Sequence, residues 1–140
     1  MDIGPSPARL EAENTALRQQ LIVLRRKVPG PYTFILPATR LVPDLVLRRQ
    51  KTVGIRIPDS PVALEIVKKL GHPLISTSAA TPEGEVLVDA RDIKDRLGHG
   101  LDLILDSGVK PNEPSSVIDL SGPEPIVIRQ GKGDVSDLVG

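Results

Sequence analysis

The chain has no cysteine and no tryptophan, and Tyr32 and Phe34 are its only aromatic residues. Without thiols there are no disulfides and no thiolate metal ligands, which excludes a disulfide-stapled secreted scaffold. With two aromatics there is no platform for stacking bases, and burial falls to Val, Ile, Leu and Ala. His72 and His99 are the only histidines; far apart and with no third ligand nearby, they are expected to sit in a turn and a loop and to hold no metal. The longest apolar run, Leu21 to Leu24, is far short of the roughly 20 residues a bilayer span needs. The start MDIGPSPARLE lacks the apolar stretch of a signal peptide, so the expected compartment is the cytoplasm.

What is present fits one modest core, since 140 residues match the roughly 100 to 150 of a common domain. Net charge is zero but unevenly spread. Residues 25–56 hold eight basic side chains (Arg25, Arg26, Lys27, Arg40, Arg48, Arg49, Lys51, Arg56) against Asp44 alone, whereas residues 57–140 carry fourteen acidic groups against eight basic ones. Such a distribution makes a local positive field that attracts phosphates, or a solvated basic surface with no partner.

The character of the chain changes at KVPGP, Lys27 to Pro31, which separates residues 1–28 from 29–140. Before it, SPARLEAENTALRQQLIVLRRKV reads as one helix: Ser6 caps it, Pro7 opens it, and Pro29 with Gly30 stops it. Leu10, Leu17 and Leu24 recur every seven residues, and Asn14, Leu21 and Val28 follow each by four. This is a seam of about three heptads, with Asn14 suited to a parallel two-stranded register. The alternative is a helix laid along the rest of the domain.

After the break, six runs read as strands: Tyr32 to Ala38, Lys51 to Pro58, Pro73 to Ser78, Leu101 to Asp106, Ser116 to Leu120 and Pro125 to Gln130. Several lack clean alternation, as in a sheet covered on both faces. Between them, SPVALEIVKKLG is a helix capped by Ser60, opened by Pro61 and ended by Gly71. DARDIKDRLG is a second, bounded by Asp89 and Gly98, with a helical turn also expected over Pro43 to Leu47. Alternating strands and helices predict an α/β sheet, whose ligands usually lie beyond the carboxyl ends of strands.

In that frame the small residues Ser76 to Thr81 stand out, because hydroxyls and unobstructed amides are what a phosphate site requires. Serine clusters also form ordinary turns. Arg56 and Arg129, each near a strand end, supply charge-assisted donors, and Ser115 and Ser116 put a hydroxyl pair at the mouth of another strand.

In order, PGPYTFILPA, KTVGIRIPDSPVA, PLISTSAA, EPSSVIDL and IVIRQGKGDV resemble the carboxyl-terminal part of the YrdC family, the threonylcarbamoyl-AMP synthases and their relatives, nearest to the YciO subgroup. The likeness covers residues 29 to about 137. It implies an α/β fold with a twisted mixed sheet and flanking helices, truncated here and preceded by the zipper-like helix. It also implies condensation of threonine, bicarbonate and ATP for tRNA modification, with magnesium accompanying ATP as substrate and no tightly bound cofactor. Carried over, Thr33 and Ser115 contact threonine, and Arg56, Ser76, Ser78 and Arg129 contact nucleotide. The chemistry rests on positioning and charge rather than on a protein nucleophile, so no catalytic residue is assigned.

Three departures qualify the likeness. Ala80 replaces the asparagine of STSAN, Ser60 replaces the frequent histidine of RxPxH, and the family's amino-terminal half, with its K-x-R pair and DTVYGL strand, has no counterpart. LEAENTALRQQLIVLRRKVPG instead resembles the amino-terminal helix of insertion-sequence transposases. Strands left without their partners then need a cover, from the helix or from a second copy. The expected function is a YrdC-like nucleotide- and RNA-binding domain with impaired synthesis. The alternatives are a non-catalytic double-stranded-RNA-binding or dimeric assembly module, and a chimeric product without selected function.

Overall fold

A computed structural model describes residues 6–40, 42, 51–109 and 111–138. Helix α1 spans Pro7–Lys27, and Arg25, Arg26 and Lys27 in its last turn complement the negative carboxyl end of the helix dipole. Strand β1 (Tyr32–Pro37), strand β2 (Thr52–Ile55), helix α2 (Pro61–Leu70), helix α3 (Ala90–Leu97), strand β3 (Ser116–Asp119) and strand β4 (Ile126–Arg129) follow, with 3-10 turns at Gly98–Gly100 and Ser136–Leu138. The helical turn expected over Pro43 to Leu47 lies outside the described residues, as do Arg48 and Arg49.

The fold is α/β, built on a mixed sheet of order β2-β1-β3-β4. β1 runs antiparallel to β2 and parallel to β3, and β3 runs antiparallel to β4. Register places Ile55, Phe34, Ile118 and Val127 in one row across all four strands. Because side chains alternate between faces, that row defines the core face. Phe34, Ile118, Leu120, Val135 and Val23 of α1 form the buried cluster there, with Leu24, Val28, Tyr32 and Val127 packed against it.

The chain divides into two compact units, Met1–Asp59 with Pro114–Gly140, and Ser60–Glu113. α1 belongs to the first, held by Val23 in the core and by Gln20, whose Nε2 donates to the Gly122 carbonyl at 2.8 Å. Of the heptad seam, Leu24 and Val28 pack into this core while Leu17 and Leu21 stay exposed; the side chains of Leu10 and Asn14 lie outside the described residues. One expectation is corrected: Pro73 to Ser78 and Leu101 to Asp106 form no strand. A strand is completed by its neighbour's hydrogen bonds, and among the described residues neither run has a ladder partner.

The second unit is built from α2, α3 and their loops. Ser60 Oγ accepts from the Ala63 amide and Gly71, at φ 72°, closes α2 in the left-handed conformation. Asp89 Oδ1 accepts from the Arg91 amide at 2.7 Å to start α3. Leu87 is this unit's one buried hydrophobic residue among those described.

Candidate functional site

The topology brings four of the six expected site residues to one end of the sheet. β1 and β3 start there, and the antiparallel β2 and β4 finish there. Thr33 is the second residue of β1, Ser115 precedes β3, Arg129 ends β4, and Arg56 follows directly on β2. For β1 and β3 this is the amino end, not the carboxyl end expected for an α/β sheet, because that rule belongs to parallel strands and this sheet is mixed.

Thr33 Oγ1 and Ser115 Oγ share a hydrogen bond of 2.8 Å, which leaves each oxygen further capacity to donate or accept. Arg129 lies beside them: Nε and Nη2 both donate to the Ser115 carbonyl, at 3.1 and 2.7 Å. Its remaining N–H groups stay available to an anion, and the two bonds already made fix the guanidinium plane. Arg56 is exposed at the same sheet end.

A tight loop after β4 holds this arrangement. Ser116, fully buried, accepts from the Gly131 amide at 2.9 Å and donates to the Gly133 carbonyl at 2.5 Å, while the Lys132 amide donates to the Pro114 carbonyl at 2.9 Å. Glycine is required twice: a Cβ at Gly131 would stand 2.2 Å from the Pro114 oxygen, and one at Gly133 would stand 2.3 Å from the Tyr32 ring. Beyond the loop, Lys27 is buried, donating to the Asp134 carbonyl and to Asp137 Oδ1 at 2.6 Å, with its ammonium 5.2 Å from the centre of the Tyr32 ring. That hydrogen bond holds the Asp137 carboxyl below its ordinary value, and the Ser136 amide does the same for Asp134. Lys27 is therefore spent on the fold and is not a phosphate ligand. The bracing of this sheet end by the loop after β4 is not anticipated from the sequence, where its signal is GKG directly after a strand.

Ser76 and Ser78 belong to the second unit and are exposed. The run of small residues leads into a hairpin in which Ala80 bridges Val86, the Leu87 amide donates to the Ala79 carbonyl at 2.8 Å, and Gly84 turns at φ 91°. Thr81 Oγ1 accepts from the Glu85 amide at 3.3 Å, and Glu83 is held below its ordinary value by hydrogen bonds to backbone and to Thr81. Ser78 borders an open hollow of about 300 Å³ lined also by Val86, Ile93 and Ile104. Among the described residues no three His, Asp or Glu side chains are grouped to hold a metal, and no helix is long and apolar enough to cross a membrane.

A family model for Sua5, YciO and YrdC, described as telomere recombination, matches residues 6–131. The chain belongs to the Sua5/YciO/YrdC family. The match begins one residue before α1, so the whole helix falls within the family segment, and its likeness to a transposase helix has no support. Escherichia coli YciO is 41% identical over 129 residues, covering 91% of this chain and 61% of YciO. The YciO crystal structure superposes with a TM-score of 0.77 at 40% identity, over 85% of this chain and 59% of that one. Threonylcarbamoyl-AMP synthase of Vibrio vulnificus is 31% identical over 104 residues, covering 74% of this chain and 55% of the synthase. A crystal structure of P. abyssi Sua5 complexed with L-threonine aligns at 26% identity and a TM-score of 0.73, over 81% of this chain and 34% of that one. The chain thus spans about three fifths of the length of YciO.

Proposed function

We propose that this chain is a nucleotide- and threonine-binding domain related to the threonylcarbamoyl-AMP synthases. The observation that carries the reading is the convergence of the Thr33–Ser115 hydroxyl pair, Arg129 and Arg56 at one end of the sheet. Hydroxyls 2.8 Å apart suit the hydroxyl and ammonium of a small amino acid, and a braced guanidinium suits a carboxylate or phosphate. The family's Sua5 complexed with L-threonine supports the amino-acid half of this assignment. In it, Thr33 and Ser115 hold threonine, while Arg56 and Arg129 hold the phosphates of ATP, which enters with magnesium as substrate. Formation of threonylcarbamoyl-AMP from ATP, threonine and bicarbonate is weakened in this reading by Ala80, which stands where the family motif STSAN has asparagine.

Residue-resolved NMR during titration with threonine and then MgATP tests this. Amide shifts clustered at Thr33, Ser115 and Arg129, lost in Ser115→Ala, are expected; shifts scattered or absent would overturn it. A second reading, docking of structured RNA in the cytoplasm, draws on the exposed Arg25, Arg26, Arg40, Lys51 and Arg56. RNA affinity that falls steeply with added salt is expected, because each neutralised phosphate releases counterions.

A further inference from the structure

Arg129 is exposed, as a side chain that meets a ligand must be, yet its guanidinium is aimed by main chain. Because Nε and Nη2 both donate to the Ser115 carbonyl, the direction of the remaining N–H groups follows that carbonyl. The loop after Arg129 grips Ser115 from both sides. On one side the Lys132 amide donates to the Pro114 carbonyl at 2.9 Å; on the other, Ser116 Oγ accepts from the Gly131 amide at 2.9 Å and donates to the Gly133 carbonyl at 2.5 Å. Residues 114–116 and 129–133 thus close a circuit of hydrogen bonds, and one hydroxyl supplies two of them. Register pairs Ser116 with Tyr32, on the core face with Phe34 and Ile118, and its side chain is fully buried. Ser116 therefore meets no ligand, and loss of its hydroxyl strands a buried amide and a buried carbonyl together.

We propose that Ser116 is a positioning residue for Arg129: its hydroxyl fixes the loop and the Ser115 carbonyl, and so holds the guanidinium in the direction that an anionic ligand requires. The inference rests on the phosphate-binding role proposed for Arg129, and goes beyond it in assigning part of the affinity to a buried group on the opposite face of the sheet. Without the hydroxyl the guanidinium keeps its charge and loses its aim. Binding must then order a mobile side chain, and that ordering weakens affinity.

The test is a double-mutant cycle in the full chain, with MgATP binding followed by calorimetry. Ser116→Ala is expected to weaken binding by about tenfold, and to add nothing once Arg129→Met is present, because the two residues act as one unit. Ser116→Cys, close in shape and a weak hydrogen-bonding group, is expected to fall between serine and alanine and serves if the alanine variant does not fold. A spectroscopic readout accompanies the cycle. The heteronuclear NOE at Arg129 Nε should match the β3 backbone in the unsubstituted protein and drop in both Ser116 variants to the level of the exposed Arg25, while β1 and β3 amide shifts stay in place. The same loss of affinity with and without Arg129 would mean a general loosening of the fold and overturn the proposal. A mobile Arg129 in the unsubstituted protein, or one that stays rigid in the variants, would do the same. Binding that Arg129→Met weakens and neither Ser116 variant changes would overturn this inference alone, whereas binding indifferent to Arg129→Met would overturn the phosphate role and the inference with it.

Discussion

Gly133 leaves no room for a side chain. A Cβ there meets three atoms of the Tyr32 ring at 2.3 to 2.7 Å, and the ring is itself stacked on Phe34 with centroids 6.2 Å apart, so it has nowhere to retreat. Overpacking of this kind costs about 1–3 kcal/mol, and backbone movement raises it. Gly133→Ala is therefore expected to lower the midpoint of urea unfolding by that amount, and Gly131→Ala by at least as much, since its obstacle is the Pro114 carbonyl. The opposite sign is expected at Thr52, whose hydroxyl is buried without a hydrogen-bond partner among the described residues. Thr52→Val should leave stability unchanged or raise it by about 1 kcal/mol in the same experiment. At Asp137 the effect depends on pH. Its carboxyl is held below the ordinary 3.8 by Lys27, so the link stabilises the fold above that value and is lost as acid protonates the group. Melting temperature should fall as pH drops below about 4, and Asp137→Asn should flatten that fall while starting from a less stable protein at pH 7. That Arg129 and Ser115 lie at strand ends was legible from the sequence, because both flank short β-rich runs. The role of Lys27 was not: in sequence it is one of three consecutive cations, and only the fold brings Asp134 and Asp137 to it across more than a hundred residues.

The helices were legible because their signals are local. Ser60, Pro61 and Gly71 bound α2, and Asp89 starts α3, where sequence placed them. The two caps differ in strength. Asp89 accepts at 2.7 Å and Ser60 at 3.5 Å, so Asp89→Ala should cost about 1 kcal/mol and Ser60→Ala about 0.5, measured by chemical denaturation. Gly98 bounds α3 where sequence placed it, and at φ −57° it stays right-handed and leads into the 3-10 segment. In α1 the heptad reading was ambiguous for a geometric reason. A 3.5-residue seam and a 3.6-residue core stripe drift by only about 20° per heptad, so three heptads cannot distinguish a partner helix from a sheet beneath. Val23 and Lys27, buried beside Leu24 and Val28, answer for the sheet at the carboxyl half of the helix. The strands at β1 to β4 were found by composition, while those read at Pro73 to Ser78 and Leu101 to Asp106 carry equal propensity and no partner. Propensity describes a residue's fitness for a pleated surface; it does not supply the neighbour.

At the scale of the molecule the two units have unequal means of staying folded. The first joins distant segments, 1–59 and 114–140, around Phe34, Ile118, Leu120, Val135 and Val23. The second buries Leu87 alone among its described hydrophobic residues and relies on two capped helices, the hairpin closing Ala79 to Leu87, and the ion pair between Glu85 and Arg96. An exposed ion pair of that kind adds well under about 1 kcal/mol, and short helices without a buried face are marginal in water. Local opening should therefore be far easier in residues 60–113 than in the sheet. Hydrogen exchange followed by mass spectrometry is expected to show amides of β1 and β3 exchanging only through global unfolding, with denaturant dependence to match. Amides of 101–109 should exchange within about tenfold of unstructured rates, and limited proteolysis should cut first within 60–113 while leaving the β1–β3 pairing protected. Equal protection across both units would mean that the chain unfolds as one cooperative body, and the division between a cored unit and an open one would then be wrong.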